Sequence, residues 1–286
     1  MVNWYCADGN DSEILLYIMI PDKPIRSNSP QNKHNFPLVW IDGLALLSWG
    51  ILLLKYAITG QYKLLIHPNY YGLVLGSGIL LMALGMLKVK LILAGNYGNI
   101  SEHISLLPPG FGSSLLLIVA IAGLLIPPQV LTSQTALKRG ISDISLSSSQ
   151  PQAFRVATKP EARSLIDWIR TINAYPEPDA YSGQPANVSG FVLHLEELPD
   201  NYLMLSRFVI TCCAVDAYPI GIPVQLATNR SDYPPDTWLE IQGEMIAETI
   251  SSRDRLDSNV TKKRSVVLAA KSITTIPTPA DPYSYK

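Results

Sequence analysis

Three long apolar runs crowd the first half of this chain: Leu38–Ile58, Tyr70–Leu87 and Gly110–Val130. A helix rises about 1.5 Å per residue, so roughly 20 apolar residues cross the hydrocarbon core of a bilayer. The third run holds no charged residue and ends at Pro127–Pro128. Three such runs so close together do not suit one water-soluble core, and they predict a three-helix transmembrane domain over 38–131. Composition agrees: 48% of the 286 residues are apolar and only 16% are charged. The mean hydropathy is +0.18, as expected where part of a chain faces lipid. Trp40 and Tyr56 lie near the two ends of the first run, where aromatic rings favour the membrane interface.

The polar residues of this half have modest readings. Asp42 and Lys55 fall inside the first run, but within about a turn or so of its ends, where water is reachable and a lysine can snorkel. His67, in the connection Gly60–Asn69, reads as an interfacial residue. Gly72 and Gly76 form a small-xxx-small pair that would let a neighbouring helix dock closely. Lysines and arginines accumulate on cytoplasmic flanks. Lys23, Arg26, Lys33, Lys88 and Lys90 fall on one side, against Lys63, Lys138 and Arg139 on the other. The balance predicts a multi-pass plasma-membrane protein with a cytoplasmic N-terminus and an extracytoplasmic C-terminal domain. Residues 1–37 read as a poorly patterned extension. Ile14–Ile20 is too short to span, and acidic Asp11 and Glu13 precede it rather than a basic stretch.

Residues 132–159 read as a flexible linker, with Ser145, Ser147, Ser148, Ser149, Gln150 and Pro151 giving a polar tether. A mainly-β domain follows over 160–286. Pro160 suits the start of a helix whose Leu165, Trp168, Ile169 and Ile172 form one apolar stripe. Pro176–Pro178 ends it. Ala186–Leu195, Leu203–Cys212, Ile222–Leu226, Thr237–Ile246 and Ser265–Ile276 are β-branched or apolar runs between turn residues. Five short strands after one amphipathic helix predict an OB-like barrel, with a five-stranded sandwich as the alternative. Gly190 and Gly243 would allow the bends a small barrel needs. From Pro151 onward the chain carries 13 Lys/Arg against 16 Asp/Glu. A nucleic-acid surface would be basic, so no nucleic-acid partner is expected.

Cys212 and Cys213 are the sharpest chemical feature. Together with Cys6 they are too few for a disulfide framework. Neighbours on a regular strand point to opposite faces, so the pair can share a ligand only if the strand ends there. Ala214–Tyr218 followed by Pro219 suggests that it does. Three readings stand open: packing without chemistry, a redox disulfide, or a thiolate pair that binds. In the last, Asp216 and His194 would complete a site for a soft divalent metal such as zinc. Arg207, on the same strand, could steady a thiolate or pair with Asp216. No nucleophile-and-base arrangement, phosphate loop or H-E-x-x-H is present, and catalysis is not expected.

Several segments occur in a characteristic order: Tyr62–Gly85, the Ile126–Pro128 turn, Gly190–Val192, Arg207–Asp216 (RFVITCCAVD), Asp236–Gly243 (DTWLEIQG) and the tail Pro279–Tyr285. In this order they resemble the YcgQ-type family of permease subunits, small bacterial membrane proteins. The resemblance extends from about Leu38 to the C-terminus. It implies an accessory subunit that works beside a separate multi-span permease, with membrane lipids as its other surroundings. Some family members are linked to metal handling, and the family often carries a histidine-rich stretch between its second and third spans. The matching segment here, Lys88–Pro109, has only His103. The competing expectation is an autonomous envelope protein that binds metal or thiols through Cys212 and Cys213.

Overall fold

The computed structural model describes residues 36–95, 110–140, 159–253 and 260–283. The expected extension up to residue 35, the loop with His103 and the polar tether at 141–158 lie outside the described residues. Three apolar helices form the first part: α1 (Phe36–Thr59), α2 (Tyr71–Leu93) and α3 (Phe111–Leu125). Two helical stretches are long and apolar enough to cross a bilayer, Val39–Thr59 and Pro68–Leu93, whereas α3 is a shorter apolar helix. The third run stops short of Val130 for a local reason. Ile126 precedes Pro127 and adopts an extended conformation (φ −104°, ψ 105°), because proline excludes the helical region from the residue before it.

Small residues set the packing of this bundle. α1 and α2 run antiparallel: Gly50 approaches Met82, Gly85 lies under Leu47, and Gly78 under Leu53 and Leu54. α3 runs alongside α1 in the same direction. The Trp49 indole donates to the Leu116 carbonyl at 3.0 Å, and the Tyr56 hydroxyl to that of Gly123 at 2.7 Å. Lys55 does not simply reach for water. Its Nζ donates to the Leu124 carbonyl at 2.8 Å, a cation on the negative end of α3. Gly72 and Gly76 are on the other face of α2, where an added Cβ meets nothing within 4 Å.

α2 continues past Leu87 and takes in Lys88 because that charge has a partner inside the bundle. Lys88 Nζ lies 2.8 Å from the Asp42 carboxylate, which also accepts from the Ser113 hydroxyl. One anion therefore ties all three helices. Asp42→Asn is expected to lower the thermal midpoint of the detergent-solubilised chain, a loss of ~1–3 kcal/mol for a partly buried pair. Adding Lys88→Met should recover part of that loss.

The second part is a five-stranded mixed sheet: β1 (Pro185–Leu193), β2 (Tyr202–Val209), β3 (Tyr218–Gln225), β4 (Trp238–Arg253) and β5 (Val260–Ile276). The order is β1-β2-β3-β5-β4, and β4 pairs back onto β1, so the sheet closes on itself. Only β3 and β5 run parallel, with Val224 beside Leu268. β4 and β5 are longer than their apolar runs, pairing out to Arg253 and Val260. The consecutive basic residues 262–264 lie in β5.

The amphipathic helix α5 spans Leu165–Ala174. It begins later than Pro160, which opens a separate 3-10 turn. Ser164 accepts from the Asp167 amide while the Asp167 carboxylate accepts from the Ser164 amide, a capping box that fixes the true start. Its stripe Leu165, Trp168, Ile169 and Ile172 is buried in the core with Leu205, Ile222, Leu239 and Leu268.

Residues 132–139 differ from the expected linker. Ser133–Arg139 is a helix, α4, whose Ala136 is fully buried against the β domain. Gly243 lies at the register shift between β4 and β5, where Lys271 is left without a register partner, and a Cβ there would fall 2.1 Å from the Ala269 carbonyl oxygen. Gly243→Ala should therefore cost about 1–3 kcal/mol in thermal or denaturant unfolding, against almost nothing for Gly72→Ala.

Candidate functional site

An aromatic cluster supports the site. Phe191 of β1 stacks on Phe208 of β2 at 5.4 Å, and Trp238 of β4 tilts against Phe191 at 6.0 Å. Tyr283 from the C-terminal tail meets Phe208 edge-on at 6.5 Å. These rings enclose Ala136, with Val130, Leu131 and Leu137 packed beside them. The Tyr283 hydroxyl accepts from the Leu131 amide at 2.8 Å. Asp236 holds the start of α4: its carboxylate accepts from the Ser133 amide and hydroxyl, the latter at 2.9 Å. Asp236 takes a left-handed conformation to do so (φ 68°), uncommon outside glycine and tolerated best by Asp and Asn.

α4 then leads to the cysteines. Arg139 at its end donates to the carbonyls of Ala214 and Ala217. β2 has already ended at Val209, so Cys212 and Cys213 sit on a bend and not on a regular strand. Freed from strand alternation, their sulfurs lie 3.6 Å apart. Both are free thiols, Cys212 exposed and Cys213 partly covered. Asp216 closes the bend. Its carboxylate accepts from the amides of Cys212 (2.8 Å), Cys213 (3.2 Å) and Thr211 (3.3 Å). The ligand-type atoms of Cys212, Cys213 and Asp216 all fall within 4.8 Å of one another.

The same bend is joined to the connection between α1 and α2. The His67 amide donates to the Cys212 carbonyl at 3.1 Å, and the Ala214 amide to the Leu65 carbonyl at 2.7 Å. Between them Ile66 pairs with Cys213 as an isolated antiparallel bridge. His67 is more than an interfacial residue, because its backbone carries half of this contact.

Two expected members of the site are elsewhere. His194 follows Leu193, which pairs with Met204 near the start of β2, whereas Cys212 follows the other end of that strand. The His194 ring nitrogen Nε2 lies 2.9 Å from the Tyr233 carbonyl. Arg207 does not pair with Asp216. It is buried, reaches the Ser189 hydroxyl at 3.3 Å and lies over the Trp238 ring at 5.5 Å. It belongs to the aromatic cluster. His194 instead shares a cavity of about 370 Å³ with Ser133 and Asp236. Ser133 bonds Asp236 directly there and His194 bonds a carbonyl, so hydrogen bonds do not run serine to histidine to aspartate.

A profile of the DUF1980 N-terminal domain matches residues 41–142, and one of the DUF1980 C-terminal domain matches 157–286. The chain belongs to the DUF1980 family. This is the YcgQ-type family that the ordered segments resemble. Among curated proteins none matches the chain. The aromatic cluster gathers one residue from each of four resembling segments, namely Phe191, Phe208, Trp238 and Tyr283. For this DUF1980 member those segments are thus a packing unit, and only Arg207–Asp216 also bears the thiols. Asp236, Arg139 and the Leu65–His67 backbone escaped the sequence reading. Asp236 left one trace, an aspartate after Pro234–Pro235 where a turn is due.

Electrostatics make the Cys212 thiol quiet. The Asp216 carboxylate, accepting from the Cys212 thiol, and then the neighbouring Cys213 push the Cys212 pKa up to about 11. Burial alone would raise Asp216, but the amides and thiol bonded to it outweigh that and hold it below the usual carboxylate range. The stability Asp216 lends the bend is thus present above the ordinary carboxylate pKa. It is lost as the pH falls through the lowered folded-state value. Alkylation of Cys212 by iodoacetamide at about pH 8 should be slow, and Asp216→Asn should speed it on the order of tenfold. Peptide mapping of the modified cysteine reads the result.

Proposed function

We propose that this DUF1980 protein is the accessory subunit of a multi-span membrane permease, holding its β domain ready for binding or regulation. The observation that carries this reading is the outer face of α2. Leu73, Ile79, Leu80 and Leu87 are each more than half exposed there. Gly72 and Gly76 open on α2 beside them. Such a face offers close helix approach to another membrane protein, with lipid covering what remains.

In this reading α1, α2 and α3 are three spans. The parallel course of α1 and α3 supports it, since α1 and α3 then finish on the side of the α1–α2 connection. The β domain, joined to that connection, lies on the same side, outside the cytoplasm, with Lys63, Lys138 and Arg139. Its closed five-stranded order is taken as an OB-like barrel. It is a binding module without catalysis, and its acidic balance does not suit nucleic acid.

Purification of the tagged chain from native membranes in a mild detergent tests the proposal. The expected result is a multi-span permease recovered with it in near-equal amount. Gly76→Leu should reduce that recovery on the order of tenfold without moving the thermal midpoint of the chain itself. Recovery of the protein alone would overturn the reading.

A further inference from the structure

We propose that Cys212, Cys213 and Asp216 bind a thiophilic divalent ion such as zinc, on the bend that fastens the β domain to the α1–α2 connection. The spacing of the two sulfurs fits before any movement. A tetrahedral ion with metal–sulfur bonds of about 2.3 Å holds two sulfurs about 3.8 Å apart. Cys212 Sγ and Cys213 Sγ are already 3.6 Å apart. A carboxylate oxygen of Asp216 lies within 4.8 Å of both, so a small side-chain adjustment supplies a third ligand. Oδ1 accepts from the Thr211 and Cys213 amides, whereas Oδ2 accepts from the Cys212 amide alone among the amides and keeps a lone pair for the ion once the Cys212 thiol is deprotonated.

Three protein ligands leave a fourth position for water or an exchanging ligand, and Cys212 is exposed to solvent. A closed structural site has four protein ligands, so this one suits reversible loading. On binding, the two thiol protons leave to solvent, two metal–sulfur bonds form and the bond to Asp216 completes the set. No electron is transferred. Site occupancy fixes the bend, and the bend is bonded through backbone to Leu65, Ile66 and His67. Loading therefore stiffens the contact between the β domain and the membrane helices. The proposal stands apart from the permease reading, because the ligands and the contact belong to this chain alone.

The test uses the full chain in detergent, kept reduced with a phosphine. Cadmium is titrated, followed by the ultraviolet charge-transfer absorption of cadmium thiolates, with zinc content measured after dialysis. One ion per chain is expected, with affinity lowered by about a hundredfold or more in Cys212→Ser/Cys213→Ser. Asp216→Asn is expected to weaken binding on the order of tenfold while keeping the thiolate absorption. An unchanged thermal midpoint of the Cys212→Ser/Cys213→Ser variant without metal would confirm that its fold is intact. Hydrogen exchange at the His67 and Ala214 amides should slow when the ion binds. Equal metal uptake by wild type and the double serine variant would overturn the site. A bound ion that leaves exchange at those two amides unchanged would overturn the coupling.

Discussion

The backbone seam between Leu65–His67 and Cys212–Ala214 is the constraint on which the arrangement of this molecule depends. It joins a segment that links two apolar helices to a bend that follows a strand of the β domain. Backbone amides and carbonyls must find partners when they leave water, so each part supplies what the other lacks. Arg139 adds a charged donor from α4 to two carbonyls of the same bend. The bend is thus held from two directions, and its thiols inherit a fixed geometry.

That geometry in turn depends on packing well behind it. Phe191, Phe208, Trp238 and Tyr283 form one apolar patch from three strands and the tail, and Ala136 of α4 closes it. Asp236 anchors the start of α4 and Arg139 its end, which orients this short helix between the patch and the cysteines. A seven-residue helix is not stable by itself, so it exists here because the β domain holds it. Arg207 covers the rim of the patch by lying on Trp238. The segments by which the family is recognised are therefore mostly structural, and they place one bend that bears two thiols.

Much of the architecture was legible in the sequence because local patterns carry it. The apolar runs marked α1 and α2, and apolar or β-branched runs between turn residues marked the five strands. The stripe through Trp168 gave α5. Gly243 stood out as a glycine inside a strand, and the register shift there brings the Ala269 carbonyl too close for any side chain. What stayed hidden rests on long-range contacts. Lys88 reads as a flank residue until Asp42 is seen beside it. The stretch 132–139 reads as linker because its helix is stabilised by tertiary packing. Cys212, Cys213 and Asp216 were found together because they are close in sequence. His194 was misplaced because strand register sends it to the far end of β2. The seam is invisible in sequence for a simpler reason, as backbone bonds leave little mark on side-chain identity.

The most direct measurement places a photo-crosslinking residue at Ile66 in the full chain and irradiates native membranes. The expected product is an intramolecular cross-link to the peptide that carries Cys212–Asp216, formed at any protein concentration. Cross-links to lipid or other proteins, with that peptide unmodified, would contradict the seam and the arrangement built on it.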